Sequence, residues 1–186
     1  NDGITVSIKP HFKYENNSLY YGEWNTSLDQ RHGRGIQKWL DGSKYLGYWT
    51  NDHVNIRGKL IHSEGDYYEG EWVNDKAEGK GCYYHINGAT YEGEWKADRQ
   101  EGKGKETWQD GSVYEGNYKN GLKNGEGKFI WGDGSMYTGN FVDNNIQGHG
   151  VYIWKDSRSY DGEWANNKME GKGTFTWPDN RKYIGE

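Results

Sequence analysis

Aromatic and glycine positions alternate with charged ones at a step of two along most of the chain. Tyr68-Glu69-Gly70-Glu71-Trp72 and Gly79-Lys80-Gly81 show the pattern, and Tyr91 to Trp95 with Gly102-Lys103-Gly104 repeat it. A step of two predicts strands with one face buried, whereas helices need a period near 3.6. The alternation itself recurs. A Tyr-x-Gly-x-aromatic motif begins at Tyr20, Tyr45, Tyr68, Tyr91, Tyr114, Tyr137 and Tyr160, with an eighth start at Tyr183. The first interval is 25 residues and every later one is 23. A fixed period of this size is the signature of a repeat architecture.

Each motif Tyr is numbered here as position zero. Gly follows at position two and a large ring at position four, namely Trp24, Trp49, Trp72, Trp95, Tyr118, Phe141 and Trp164. A Gly-x-Gly pair occupies positions eleven and thirteen. Position seventeen is Trp39, His62, His85, Trp108, Trp131, Trp154 or Trp177. Asp-Gly follows at Asp41-Gly42, Asp110-Gly111 and Asp133-Gly134. That triplet suits a three-residue hairpin turn with its Gly in the left-handed region. It pairs position fifteen with the next zero, thirteen with the next two, and eleven with the next four. Inside a repeat, a four-residue loop over positions six to nine pairs four with eleven, two with thirteen and zero with fifteen. Both registers put zero, two, four, eleven, thirteen, fifteen and seventeen on one face. Each position-four indole then lies flat beside a glycine, Trp72 beside Gly79, burying about 150–250 Å². The opposite face is expected to carry an ion-pair ladder of Glu71 with Lys80, Glu94 with Lys103 and Glu163 with Lys172, with Arg34 facing Glu23. Each pair is worth roughly 0.2–1 kcal/mol.

The departures are informative. Two extra residues lie between Trp24 and Gly33, and an even insertion preserves facing. Ile56 stands where the second repeat should have Gly. Upstream, Phe12, Tyr14, Asn16-Asn17 and Ser18 fit positions fifteen to twenty-one of a degenerate earlier repeat. Residues 1–19 therefore read as a capping half-repeat, with Pro10 marking an edge strand, and 20–186 as the array.

Composition narrows the class. Rings make up 16% of the chain against 32% for all hydrophobic residues, so half of the apolar side chains are aromatic. Too few aliphatic residues remain for a thick two-layer α/β enzyme. With 29 Gly and 2 Pro, the expectation is an all-β chain that packs rings against glycine. A net charge of −5 argues against nucleic acid as a partner. The single Cys82 excludes an internal disulfide and favours a reducing compartment. No apolar run approaches ~18 residues and no signal peptide is visible, so the expected setting is intracellular. The start without Met and the stop in mid-hairpin suggest a piece of a longer protein.

Tyr-Glu-Gly-Glu-Trp, Gly-Lys-Gly and Asp-Gly-Ser at this period resemble MORN repeats, from about Tyr20 to Glu186. The resemblance implies an elongated, single-layer, twisted antiparallel sheet of tandem β-hairpins. It also implies non-enzymatic roles: protein scaffolding, membrane-junction building and regulatory segments of larger proteins. Relatives of this kind include radial-spoke head components, protist cytoskeletal scaffolds and modules preceding phosphatidylinositol phosphate kinase domains. The expected function is a non-catalytic protein–protein interaction scaffold, cytoplasmic, with cytoskeletal or ciliary settings among those implied. The alternative is a regulatory or phospholipid-binding module of a larger enzyme such as a phosphatidylinositol phosphate kinase.

Candidate chemistry is sparse, and no cofactor is called for. The Gly-x-Gly pairs never extend to a phosphate-binding G-x-G-x-x-G. Cys82 and His85 have C-x-x-H spacing, but strand residues three apart point to opposite faces. His62 and His85 fill the Trp slot of adjacent repeats, roughly 9–10 Å apart, too far to share an ion. No metal site is expected. An acidic phospholipid membrane is the weaker partner reading, because each free cation contributes about 1 kcal/mol and the periodic Lys residues face Glu. The stronger reading is a protein partner. A contiguous ring-lined face marks an interaction site. A peptide or helix could lie along a groove formed by Trp72, Trp95, Trp108, Tyr118, Trp131, Phe141 and Trp154. Homo-oligomers could form through the open sheet ends, for example at Tyr183 to Glu186.

Overall fold

The computed structural model describes residues 5–186. Sixteen strands follow one another: β1 (Val6–Lys13), β2 (Leu19–Asn25), β3 (Gln30–Lys38), β4 (Lys44–Thr50), β5 (His53–Ile61), β6 (Tyr67–Val73), β7 (Lys76–Tyr84), β8 (Thr90–Lys96), β9 (Arg99–Thr107), β10 (Val113–Lys119), β11 (Leu122–Ile130), β12 (Met136–Val142), β13 (Asn145–Ile153), β14 (Ser159–Ala165), β15 (Lys168–Thr176) and β16 (Lys182–Gly185). Sheet order equals chain order, giving one open antiparallel sheet of consecutive hairpins. Two compact units are distinguished within the chain. One runs through Gly88 and includes Trp95–Asp98, and the other comprises Ala89–Glu94 and Arg99–Glu186. The same repeat builds both.

The turn between repeats has the expected form. Trp39 N–H donates to the Ser43 carbonyl and Gly42 N–H to the Trp39 carbonyl, with Gly42 at φ +93°. The Asp41 carboxylate accepts from the backbone N–H and hydroxyl of Ser43. Upstream, Asn16, Asn17 and Ser18 make the same bonds with Tyr14, and β1 pairs with β2. The register across the turn also follows. Gly148 faces Trp164, Gly150 faces Gly162 and Tyr152 faces Tyr160.

The hairpin inside the repeat is different. Positions zero and two pair with fifteen and thirteen, as in Tyr68 with Tyr83 and Gly70 with Gly81. Position four, however, pairs with nine: Trp72 with Ala77, Phe141 with Ile146, Trp164 with Met169. The loop is two residues long, not four. Asn74 and Asp75 both have positive φ, 46° and 67°, the type I′ geometry that matches strand twist. The two residues this returns to the strand are absorbed in a bulge, where Glu71 alone faces residues 78–80. Successive loop tips also bond to each other. Asp75 N–H donates to the Val54 carbonyl at 2.9 Å, and its carboxylate accepts from Val54 N–H at 2.7 Å. Asn167 does the same with Ile146. The first repeat replaces the tip with a longer loop between Asn25 and Gln30, and Gly33 still faces Trp49.

The bulge also redirects the expected charge ladder. The Glu71 carboxylate accepts from the backbone N–H of Lys80 at 2.9 Å, and Glu163 from that of Lys172 at 2.9 Å. Glu94 reaches the Lys103 N–H at 3.4 Å, and Glu23 accepts from the Arg34 N–H. These carboxylates cap bulged backbone. Cross-strand ion pairing occurs instead one row along, as in Lys59 with Glu69 at 3.7 Å. Gly79, at φ +79°, is required twice over, since a Cβ there would coincide with the Glu71 carboxylate. Ile56 departs from this rule at φ +65°, in the repeat whose position three is Tyr48.

The ring lying on glycine is the Tyr of position zero, not the indole of position four. A Cβ at Gly70 or Gly81 would run into the Tyr68 ring, and the same holds for Tyr114 with Gly116 and Gly127. The absent side chains let the phenol cross the strand and reach the far carbonyl. Tyr68 donates to the Glu71 carbonyl at 3.0 Å and Tyr114 to that of Asn117 at 3.0 Å. Position-four rings then stand edge-on between successive tyrosines. In the first unit Tyr20, Trp49, Tyr45, Trp72, Tyr68 and Trp95 meet with centroids 5.0–5.8 Å apart and planes at 79–90°. In the second, Tyr91, Tyr118, Tyr114, Phe141, Tyr137, Trp164 and Tyr160 meet at 5.1–5.5 Å and 80–89°. Edge-to-face pairs contribute about 0.5–1.5 kcal/mol each beyond their burial. This zipper is the core. Tyr114 and Tyr137 are fully buried, and burial lifts both phenols to a pKa of about 12.

Candidate interaction surface

The structure divides the seven rings expected to form a groove. Trp72, Tyr118 and Phe141 are 6%, 4% and 3% exposed, and they serve the core. Trp95 is half-buried, with its indole N–H donating to the Gly81 carbonyl at 3.0 Å. Trp108, Trp131 and Trp154 are half-buried too, but they lie outside the edge-to-face zipper. They sit where each second strand enters the turn, beyond the reach of the position-zero tyrosines.

Four rings missing from that list join them. Position fifteen is a ring in three repeats of the second unit, Phe129, Tyr152 and Phe175. These alternate with the position-seventeen indoles, and Trp177 closes the series. Trp108, Phe129, Trp131, Tyr152, Trp154, Phe175 and Trp177 form an unbroken ribbon with neighbouring centroids 4.6–5.3 Å apart. All seven retain partial exposure. The periodic ring at position fifteen was the signal that would have found three of the four, and Trp177 continues the position-seventeen series. The ribbon starts at Trp108 because position fifteen of that repeat is Glu106. This carboxylate accepts from Lys123 Nζ at 2.7 Å and Tyr118 Oη at 3.0 Å. The ammonium stands 5.0 Å from the Trp108 ring centroid. Burial, and then Glu106, raises the Tyr118 pKa strongly. At the other end Arg158 and Arg181 flank Trp154 and Trp177 at 5.6 Å, each held by an Asp two residues before it.

The first unit has a shorter counterpart. Tyr83 contacts His62, His85 and Trp95, and His85 Nδ1 lies 3.1 Å from Asp66. Among the described residues, no group of three or more His, Cys, Asp or Glu is placed to hold a metal ion.

The repeat is that of a known family. The MORN repeat pattern matches residues 20–44, 68–90, 91–113, 114–136, 137–157 and 160–180. The chain belongs to the MORN-repeat family. The stretch 45–67, which carries Tyr48 and Ile56, lies outside the matched segments. No curated protein matches the chain. Among solved structures, the TCP domain of Drosophila melanogaster SAS-4, in complex with a proline-rich motif of Ana2, shares 12% identity. It covers 96% of this chain and 89% of its own, with a TM-score of 0.51, a likeness of fold. A CPAP G-box domain matches at 10% identity, 97% and 99% coverage and a TM-score of 0.49. The E1021V TCP10 domain of Danio rerio CPAP matches at 10%, 95% and 82%, with a TM-score of 0.43.

Proposed function

We propose that this chain is a non-catalytic protein-interaction scaffold whose second unit holds a partner segment, extended or helical, along the ribbon from Trp108 to Trp177. One observation carries the reading. The position-zero and position-four rings already hold the sheet together, whereas the ribbon rings keep exposed surface in one continuous strip. Contiguous apolar surface marks interaction sites, and Trp and Tyr dominate binding hot spots. MORN membership supports a scaffold role, and the SAS-4 domain shows that a sheet of this fold can accompany a proline-rich peptide.

The slot at position seventeen offers a test that spares the fold, because His62 and His85 occupy it naturally. Partners captured by the intact chain are identified, and their affinities are then measured against variants. Trp131→His with Trp154→His should leave the melting temperature within a few degrees and weaken the partner at least tenfold. Reversing Lys105 and Glu115, which face each other across β9 and β10 on the charged face, should leave binding intact. Normal binding by the Trp→His pair, with loss on charge reversal, would place recognition on the charged face and refute the reading.

A further inference from the structure

The outer face of the sheet breaks its own pattern in the first repeats, and the later repeats supply the comparison. Position one is Glu69, Glu92 and Glu115 on β6, β8 and β10, and position fourteen is Lys59, Lys105 and Lys128 on β5, β9 and β11, while the remaining repeats carry Thr138 and Asp161 at position one and Cys82, Val151 and Thr174 at position fourteen. At those places β2, β3 and β4 carry Tyr21, Ile36 and Leu46. Strand register sets the three in one row, Tyr21 opposite Ile36 and Ile36 opposite Leu46. Tyr48 adds a ring at position three, where β6, β8 and β14 carry Glu. The charged versions fold equally well elsewhere in the chain, so the apolar versions are not demanded by the sheet. Tyr21 is 50% exposed and Leu46 37%. Together with Ile36, Tyr48 and Arg34 they wall a depression of about 320 Å³ over Gly22, Gly35 and Gly47.

The side chains at the rim of this depression are mostly cationic. Lys38 and Lys44 face each other at its upper end, and Arg34 faces Tyr48 at its side. Among the described residues, no carboxylate forms an ion pair with any of the three. Arg34 Nε donates to Tyr48 Oη at 2.9 Å, which orients the guanidinium and leaves its other N–H groups available. The nearby carboxylate, Glu23, is engaged by the Arg34 backbone N–H. A cationic rim on a chain of net charge −5 runs against the composition.

We infer that this patch on β2–β4 docks an acidic peptide segment, distinct from any partner of the aromatic ribbon. An aromatic or aliphatic side chain of the peptide fills the depression, and its carboxylates meet Arg34, Lys38 and Lys44. Arg–carboxylate pairs of this kind are directional and frequently bidentate. The concavity favours a peptide over a bilayer, because a glycine-floored notch accepts a single side chain, whereas membrane insertion needs apolar groups that protrude.

The test gives the patch the side chains of the later repeats: Tyr21→Glu, Ile36→Lys and Leu46→Glu in one variant. A random dodecamer phage library is panned on the intact chain and on this variant. Peptides enriched only on the intact chain should carry an excess of Asp and Glu around an aromatic or aliphatic residue. The best of them, fluorescein-labelled, should bind the variant at least tenfold more weakly at unchanged melting temperature. It should bind the Trp131→His, Trp154→His chain normally, which separates this site from the ribbon. The same peptides on both targets, no enrichment, or no acidic excess would overturn the inference. So would patch-dependent cosedimentation with phosphatidylcholine–phosphatidylserine vesicles in place of peptide selection.

Discussion

Replacing Gly79 by Ala tests how the bulge is held. The residue sits at φ +79°, where an L-residue costs about 1–2 kcal/mol. A Cβ there also takes the place of the Glu71 carboxylate oxygen that caps Lys80 N–H. That oxygen belongs to a flexible side chain, so it will move, and the cost is the lost bond rather than a clash. The bond is solvent-exposed, which keeps it near the ordinary ~0.5–1.5 kcal/mol of a net hydrogen bond. Gly79→Ala should therefore destabilise by about 1.5–3.5 kcal/mol. Gly148 provides the comparison. Its φ is +73°, but its position-three neighbour is Asn140, whose Cβ would lie 3.7 Å from the new methyl. Gly148→Ala should cost only the ~1–2 kcal/mol of strain. The decisive measurement is a double-mutant cycle of Gly79→Ala with Glu71→Ala, by guanidinium unfolding followed through Trp fluorescence. The coupling should be about 0.5–1.5 kcal/mol, the energy of the cap. A coupling below ~0.3 kcal/mol, within ordinary additivity error, would show that Glu71 does not hold the bulge.

Two further outcomes follow from the same geometry. Burial raises the phenol pKa of Tyr114 and Tyr137 from 10.0 to about 12, so the folded state holds protons that the unfolded state releases. Stability should be level below pH 10 and fall as pH rises from 10 towards 12, by up to ~1.4 kcal/mol per pH unit for each such tyrosine. Guanidinium midpoints across that range check it, with Tyr114→Phe and Tyr137→Phe flattening the slope, and an unchanged slope in those variants refutes it. Ala97 holds φ +47° at the first tip position, where the other two-residue tips have Asn or Asp. Ala97→Asn should raise stability by up to ~1 kcal/mol, since Asn tolerates that region better, and a lower midpoint would refute the turn assignment.

Period, facing and the turn between repeats were legible in the sequence because each has a local chemical cause. Asp41-Gly42 names its turn, and a step of two names the buried face. The partner of position four was not legible from alternation, because alternation cannot detect a shift of two residues. Pairing Trp72 with Gly79 or with Ala77 leaves the same side chains on the same face. The distinguishing signal lay in Asn74-Asp75 and Asn120-Gly121, residue pairs suited to two positive φ values in succession. Read as part of a four-residue loop, they hid the bulge. With it they hid the role of Glu71, which looked like one half of an ion pair.

The division of labour among the rings was beyond the sequence for a related reason. The rings at positions zero, four, fifteen and seventeen all lie on one face, so periodicity treats Tyr114, Phe141 and Trp131 alike. What separates them is reach. A phenol can span two facing glycines to the carbonyl three residues on, and Tyr114 does so at 3.0 Å, which fixes the ring inside the sheet. The position-four ring is then clamped between two such phenols. A ribbon ring at position fifteen or seventeen has its nearest ring neighbours among its own kind, stacked or tilted at 4.6–5.3 Å, and Phe129 and Tyr152 meet Tyr114 and Trp164 of the zipper only at 6.3 and 6.0 Å. The glycines thus create two classes of aromatic residue from one row. One class is consumed by the fold, and the other keeps a free surface that a partner can cover.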